Sequence, residues 1–272
     1  MTVKSPLASV EPWDCVANGY AAEANVVMAP FSQRAVELTP LTASARVLDV
    51  AAGPGTLSLA IAPRVASVVA LDFSEEMNAH LRDAAKARGL SNLRVLRADG
   101  QALPLQDGAF DAAFSMFGWM FFPDRARGLS ELERVLAPGG SLVVSSWAPI
   151  ARSPLMGAMF GALRAADPTM PGPSYDPNSL ENPERLAAEL RDAGFVDVAV
   201  HEHTAAFAFS SVDELWSRMV RSSAPLAVLR DRLGEQVWSE RSQIARAFLL
   251  REIGDAPTTL STTALLGVAR VT

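Results

Sequence analysis

The sequence predicts an α/β fold with a doubly wound, mostly parallel, seven-stranded sheet and a helical cap. Two observations carry this prediction. Short aliphatic runs alternate with helical patterns over residues 46–147, and such alternation implies right-handed crossovers and a parallel sheet covered on both faces. Hydrophobic residues form 49% of the 272-residue chain and charged residues 20%, a balance that suits a sizeable buried core.

Local signals place each unit of residues 46–147. The predicted strands lie at 46–50, 67–72, 93–99, 109–116 and 141–147, and the predicted helices at 56–65, 75–88 and 125–136. Ser74 is the expected N-cap of the second helix, and Glu75 and Glu76 suit the positive end of its dipole. Gly89 is expected to end that helix.

The remaining residues predict a cap around this core. The expected organisation is an N-terminal helical cap segment at 1–40, a cofactor-binding core at 41–150, and the end of the sheet with an inserted helical cap at 151–272. The last part is expected to contain strands at 196–201 and 264–271 and a helical stretch at 213–253 broken at Pro225. The stretch 150–180 is rich in Met, Pro and Gly, which suits irregular packing or an apolar ligand.

Composition excludes several classes of function. The 24 Lys and Arg residues against 30 Asp and Glu residues give a net charge of −6, which argues against binding to nucleic acid or to an anionic membrane. A single cysteine, Cys15, excludes an intramolecular disulfide, and three histidines make a metal site unexpected. With no apolar leader segment or long apolar run, the expected location is the cytoplasm.

The strongest motif is the glycine-containing turn at 51–55, which joins the strand 46–50 to the next helix. Glycines let the backbone approach a ligand closely, and the free amides of a helix N-terminus attract a carboxylate or phosphate. Asp72 ends the next strand, where a carboxylate can accept hydrogen bonds from two ribose hydroxyls. Together they predict a nucleoside-bearing cofactor. The turn lacks the lysine of a P-loop, whereas Ser58 partly satisfies the pattern of a dinucleotide site.

A set of motifs in order resembles the class I S-adenosylmethionine-dependent methyltransferases, which have a Rossmann-like core. The segments that carry the resemblance are 47–56, 71–74, 97–100, 110–111 and 134–140. They are most similar to the branch of ubiquinone and menaquinone biosynthesis enzymes (type 11). The resemblance covers residues 46–147 well and implies S-adenosyl-L-methionine as cofactor; it says little about the acceptor.

The resemblance also implies which residues contact the cofactor. Asp49 would hold the methionine part together with the turn, although it could equally orient the turn. Asp72 would bind the ribose, and Asp99 would accept a hydrogen bond from the adenine amino group. The full implied set is Trp13, Tyr20, Asp49, Ala51, Gly53, Gly55, Asp72, Phe73, Met77, Asp99, Gly100, Gln101, Ser115 and Met116. Ala51 departs from the family, which often has glycine there, and this hinders the backbone approach.

The acceptor site is expected along residues 114–122, which are more apolar than a strand end requires. The expected acceptor contacts are Phe117, Trp119, Met156 and Met159. His201 and His203 alternate along a strand end and so point to one face. Histidine suits proton abstraction near neutral pH, so both are candidate general bases, with a structural or surface role as the alternative.

These observations favour methyl transfer to oxygen or carbon of a small, largely apolar or aromatic acceptor, in natural-product or quinone biosynthesis, by a monomer or homodimer. Such a reaction needs alignment more than catalytic groups, and no metal. Two alternatives stay open. The same turn could serve an NAD(P)-dependent oxidoreductase, or the chain could be a cofactor-binding homologue without activity.

Overall fold

A computed structural model describes residues 6–170 and 179–272. Its sheet has seven strands in the order β3-β2-β1-β4-β5-β7-β6. The strands are β1 (Arg46–Val50), β2 (Ser67–Asp72), β3 (Leu93–Arg97), β4 (Phe110–Ser115), β5 (Leu136–Trp147), β6 (Val196–Phe209) and β7 (Thr258–Arg270). The first five are parallel, and β7 is antiparallel to both of its neighbours. The predicted doubly wound, mostly parallel fold is confirmed.

Ten α-helices surround the sheet in the described part of the chain. They are α1 (Glu11–Val27), α2 (Ala29–Glu37), α3 (Thr56–Ile61), α4 (Glu75–Ala87), α5 (Arg125–Val135), α6 (Pro154–Ala166), α7 (Pro183–Asp192), α8 (Val212–Ser222), α9 (Ala224–Leu233) and α10 (Glu235–Ile253). No helix of residues 6–170 and 179–272 is both long and apolar enough to cross a bilayer.

Several sequence signals used to predict the elements of the core are found at their expected places in the structure. The bounds of β1 and β2 match their predicted ranges. Ser74 caps α4 by accepting a hydrogen bond from the Met77 amide at 3.1 Å, and Gly89 follows the helix with φ +66°. Asp111 accepts hydrogen bonds from the backbone and guanidinium of Arg46, which ties the start of β4 to the start of β1.

Three clusters of buried apolar residues pack against the sheet. The first lies between one face of the sheet and helices α5 and α7, and it includes Leu132 and Leu186. A second fills the other face beneath α2 and α3, around Phe114. A third lies between the cap helices α6, α8 and α10 and strands β6 and β7, where Trp216 and Trp238 belong to the same cluster as Phe207 and Leu260. The cap helices therefore share this core with the sheet.

Within residues 46–135 the predicted bounds differ from the structure by at most four residues, as at the end of α3. Larger differences lie outside this range. β6 continues to Phe209 and β7 begins at Thr258 because the two strands pair with each other over this whole length, and antiparallel partners distant in sequence leave no local signal. The helical stretch is divided at Ser223 and Gly234. Pro225 lies in the first turn of α9, where its missing N–H costs nothing. The prolines at 171 and 173 lie outside the described residues.

Candidate active site

The turn after β1 is built from left-handed backbone. Ala51, Gly53 and Gly55 have φ values of +55°, +55° and +88°. A Cβ atom placed on Gly53 would meet only Cε1 of Tyr20, at 3.8 Å. Gly53 therefore presents bare backbone to an open space beside Tyr20, as a turn that approaches a ligand requires.

A side chain at Gly55 would not face this space, and the contact of this residue with the cofactor stays a prediction. A Cβ atom at Gly55 would lie 2.1 Å from Cδ1 of Leu81, and Leu81 is fully buried on α4. Gly55 also lines neither of the two cavities described below. The glycine is needed for the close packing of the turn on α4.

The side chain of Ala51, whose backbone is left-handed, has room because the residue that faces it, Gly118, has no side chain. A Cβ atom on Gly118 would lie 2.3 Å from the Cβ atom of Ala51. Position 118 therefore has no room for a side chain while alanine stands at 51. The departure from the family pattern at Ala51 is accommodated by Gly118, beyond the end of β4.

Asp72 is the buried carboxylate of the site. Its side chain accepts hydrogen bonds from the backbone amides of Gly53 and Ser74, both at 2.9 Å, and the residue is 6% exposed. Burial raises the pKa of Asp72 to about 6, against the lowering effect of these amides, and the charge of Asp14 raises it further. Each carboxylate oxygen keeps a second lone pair that can accept a hydrogen bond from a ligand.

Helix α1 is tied to this carboxylate loop. The Ser74 hydroxyl donates a hydrogen bond to the Asp14 carboxylate of α1 at 2.5 Å. Tyr20 lies two turns further along the same helix, and burial together with the charge of Asp72 raises its pKa to about 12. The Tyr20 phenol is therefore protonated at neutral pH and can donate a hydrogen bond.

Asp49 lies beneath the turn. It is 2% exposed and lines neither cavity. The Ser58 hydroxyl donates to its carboxylate at 2.6 Å, and burial raises the pKa of Asp49 to about 7. Of the two roles left open for Asp49, this position favours orientation of the turn over contact with a ligand.

An inner cavity lies over the carboxyl ends of β1, β2 and β4. The predicted cofactor-binding residues that line it are Trp13, Tyr20, Ala51, Gly53, Asp72, Phe73, Met77, Asp99, Gly100, Gln101 and Met116. Three predicted residues, Asp49, Gly55 and Ser115, do not line it. The Asp99 carboxylate accepts a hydrogen bond from the backbone amide of Gln101 at 2.8 Å. The described lining contains no Lys, Arg or His.

Ser115 and Trp119 form part of the scaffold beneath the cavity. The Ser115 hydroxyl accepts a hydrogen bond from the Trp119 amide at 3.0 Å, and the Trp119 indole donates to the Arg125 carbonyl at 3.0 Å. Trp119 is 0% exposed and lines neither cavity. The structure does not bring Trp119 together with the other predicted acceptor residues, because the chain turns its ring into the core after Gly118, and its contact with the acceptor stays a prediction.

An outer cavity of about 780 Å³ adjoins the inner one. Five residues line both cavities: Leu7, Trp13, Tyr20, Phe117 and Phe121. The predicted acceptor residues Met156 and Met159 line the outer cavity, and Phe117 lies at the junction. The predicted acceptor residues do not include Trp147, Met219 and the other lining residues from β5, β7, α8 and α9, because no local pattern brings these elements together.

The junction holds a strained aromatic residue. Phe117 has φ +58°, which is rare for a bulky side chain. Its amide donates to the Ser145 hydroxyl at 2.8 Å, and its ring stacks on Trp147 with centroids 4.1 Å apart. Phe31 packs edge-on against both rings. Such strain persists where surrounding contacts fix it, and it often marks functional sites.

The two histidines lie apart from the cavities. His201 and His203 belong to β6, the edge strand of the sheet, and neither lines either cavity. The His203 ring packs edge-on against Phe31, with centroids 5.7 Å apart. The structure therefore does not bring the candidate general bases together with the turn and Asp72.

Comparisons with known proteins agree with this geometry. A family model described as a methyltransferase domain matches residues 47–140. The demethylmenaquinone methyltransferase of Thermus thermophilus is 40% identical over 186 residues, which cover 60% of this chain and 80% of that protein.

Solved structures share the fold. The YcgJ protein from Bacillus subtilis superposes with a TM-score of 0.59 at 21% identity, covering 88% of this chain and 97% of that one. The cyclase SpnF superposes with a TM-score of 0.55 at 24% identity, covering 89% of this chain and 80% of that one. At these identities the likeness concerns the fold alone.

Proposed function

The chain belongs to the class I S-adenosylmethionine-dependent methyltransferases, in the menaquinone-type branch, and from this premise we propose that it methylates a large, apolar, quinol-type or phenolic acceptor held in the outer cavity. Its cofactor is S-adenosyl-L-methionine. The observation that carries the proposal is the shared wall of the two cavities at Tyr20, Phe117 and Phe121.

The residues of the inner cavity fit the cofactor. Asp72 offers a buried carboxylate to the two ribose hydroxyls, and Asp99 offers an acceptor to the adenine amino group. Phe73 and Met77 supply apolar surface beside the adenine. Because the described lining holds no cation and the amides of Ala52, Gly53 and Gly55 already donate within the protein, we assign the cofactor carboxylate to the Tyr20 phenol. When bound, S-adenosylmethionine supplies an electrophilic methyl group on a positively charged sulfur.

The lining of the outer cavity favours an apolar, uncharged acceptor. Methionine, leucine and aromatic residues make up more than half of its lining, and half of these belong to α1, α6 and α8. Its two arginines are already paired: Arg218 with Glu23 at 2.7 Å and Arg125 with Glu189 at 2.6 Å. An anionic acceptor would lose hydration there without a free cation in compensation, which is costly. A volume of about 780 Å³ admits a molecule with several rings.

The chain orients the acceptor and excludes water; it offers little general base chemistry at the junction. The described residues that line the two cavities include no histidine, lysine or cysteine. The pKa of Tyr20, about 12, makes the neutral phenol a donor at neutral pH. We therefore propose an acceptor that is itself nucleophilic, such as an electron-rich ring carbon of a quinol or an ionisable phenol, held in line with the methyl group.

A turnover experiment tests the acceptor class. The purified protein is incubated with S-adenosylmethionine and reduced 1,4-naphthoquinone, 1-naphthol, a phosphorylated sugar or a transfer RNA. We expect methylation of the neutral aromatic compounds only, and mass spectrometry with NMR will distinguish C- from O-methylation. Turnover confined to the charged substrates would contradict the proposal.

The predicted cytoplasmic location and oligomeric state stay predictions.

A ligand-stabilisation experiment tests the cofactor site independently of the acceptor. A ligand that binds only the folded protein at 100 times its Kd stabilises the protein by about 2.7 kcal/mol. At saturation we expect S-adenosylhomocysteine to raise the Tm by roughly 5 to 10 °C. NADH at the same concentration should leave the Tm unchanged; equal stabilisation by NADH would support the dinucleotide alternative instead.

The affinity for S-adenosylhomocysteine should depend on pH through Asp72. Its pKa of about 6 in the free protein means that the fold disfavours the ionised carboxylate, whereas ribose hydroxyls that donate to it favour the ionised form. Binding should therefore release a proton near pH 6. We expect calorimetry to show an affinity about tenfold lower at pH 5 than at pH 7.5. A flat profile over this range would contradict the assignment of Asp72 to the ribose.

A further inference from the structure

Thr262 carries a buried hydroxyl that the protein leaves without a partner. Among the described residues, two buried side-chain atoms make no hydrogen bond: the Thr262 hydroxyl and the side-chain oxygen of Asn78. Asn78 is a buried residue of α4 and lines neither cavity. Thr262 is 1% exposed and lines the outer cavity. An unsatisfied buried hydroxyl is unfavourable, so its persistence on a cavity wall needs an explanation.

The nearest neighbours of Thr262 on its own face of the sheet are apolar. Leu260 and Ala264 share this face of β7, and Ala205 is the cross-strand partner on β6. None of these side chains can donate or accept a hydrogen bond. His203, the partner of Ala264, lies diagonally across on the same face, and no hydrogen bond joins it to Thr262. The adjacent Thr263, on the opposite face, is satisfied: its hydroxyl donates to the Arg152 carbonyl at 2.9 Å.

The serine hydroxyls of the same cavity wall are engaged within the protein. Those of Ser146 and Ser222 donate to the carbonyls of Leu180 and Arg218, at 2.7 and 2.8 Å. Those of Ser179 and Ser223 accept hydrogen bonds from backbone amides of Glu181 and Leu226. The Thr262 hydroxyl thus differs from them in having its donor and its acceptor capacity free.

Because the Thr262 hydroxyl has almost no accessible surface in this structure, we propose that the side chain rotates when the acceptor binds, hydrogen-bonds an oxygen of the acceptor and so positions it in the outer cavity. The ligand is an apolar, ring-containing molecule with a hydroxyl or carbonyl oxygen at the end that lies against β7. This inference rests on the proposed function in taking the outer cavity as the acceptor site. Trp147 pairs with Ala264, two residues from Thr262 on the same face, so the hydroxyl lies near the Phe117–Trp147 stack at the junction.

Two probes of similar shape test the proposal by binding alone. 1-Naphthol and 1-methylnaphthalene differ in a hydroxyl against a methyl group, and their Kd values are measured with saturating S-adenosylhomocysteine. Thr262→Val should lower the preference for 1-naphthol over 1-methylnaphthalene about tenfold, while Thr262→Ser retains the wild-type preference. Thr263→Val is the matched control on the opposite face, and it should leave the preference unchanged.

Each outcome bears on the proposal. An unchanged preference in Thr262→Val, with normal S-adenosylhomocysteine affinity, would mean that the hydroxyl is idle or satisfied by water, and would overturn it. Failure of both probes to bind the wild-type protein would also overturn it. If the preference changes as expected but neither naphthol nor quinol is methylated, the role of Thr262 stands and the proposed acceptor class fails. Because binding is read without turnover, the two failures are distinguishable.

Discussion

Asp72→Asn is expected to weaken S-adenosylhomocysteine binding by about 30- to 150-fold at pH 7.5. Hydrogen bonds to a charged group contribute about 1.5–3 kcal/mol and neutral ones about 0.5–1.5 kcal/mol, so two ribose hydroxyls together lose roughly 2–3 kcal/mol. Both carboxylate oxygens of Asp72 also accept backbone amides. In Asp72→Asn the side-chain NH2 group must face the backbone N–H of either Gly53 or Ser74, and the repulsion between two donors disturbs the turn at Gly53 as well.

Asp111→Asn is the matched control for this experiment. Asp111 is also a strand-end carboxylate, but it pairs with Arg46 at the opposite end of the sheet, where both side chains are more than two-fifths exposed. Its replacement should leave the affinity unchanged within about twofold. Calorimetry on both variants decides the matter: equal, wild-type affinities would remove Asp72 from the cofactor site. The pH dependence expected for the wild-type protein should disappear in Asp72→Asn.

The sequence was sufficient to predict the core because its signals there are local. Ser74, Glu75 and Gly89 mark the ends of one helix, and the β-branched run 67–72 marks one strand. The paired ends of β6 and β7 have no such signals. Phe209 and Thr258 are partners, yet 48 residues of chain separate them, and the pairing is fixed by tertiary structure. Gly234, which divides the cap helices, was not distinguished from an ordinary helix glycine.

The candidate site was predictable at the level of strand ends and not at the level of side-chain direction. Asp72 and Asp99 line the inner cavity because the carboxyl ends of parallel strands meet at one edge of the sheet. Trp119 stands in the same apolar segment as Phe117, but a short 3-10 turn directs its ring into the core. Thr262 could not be singled out, because its significance depends on which hydroxyls find partners after folding.

Gly53→Ala should act mainly on ligand binding. A left-handed alanine costs roughly 1–2 kcal/mol, and Ala51 shows that this turn tolerates one. The added methyl group would project toward Tyr20, with 3.8 Å to its ring, and so into the cavity assigned to the cofactor. We expect near-native folding by circular dichroism and an affinity for S-adenosylhomocysteine at least tenfold lower. Full affinity would place the cofactor elsewhere.

Gly55→Val is expected to have the opposite signature, a large loss of stability. The residue has φ +88°, and its Cβ atom would lie 2.1 Å from the Leu81 side chain. Left-handed backbone costs roughly 1–2 kcal/mol for a residue with a Cβ atom, and overpacking a buried site costs roughly 1–3 kcal/mol more. We therefore expect urea unfolding to show a free energy of unfolding lower by about 2 to 5 kcal/mol.

A double-mutant cycle separates the two causes. Leu81→Ala removes the atoms that a new Cβ would meet, and so relieves the clash but not the backbone strain. Gly55→Ala combined with Leu81→Ala should therefore lose less stability than the sum of the two single variants, by at least about 1 kcal/mol. Strict additivity would mean that Gly55 and Leu81 do not pack together. Gly55 would then be the residue that faces the ligand, as Gly53 is expected to do, and the orientation assigned to the turn would be wrong.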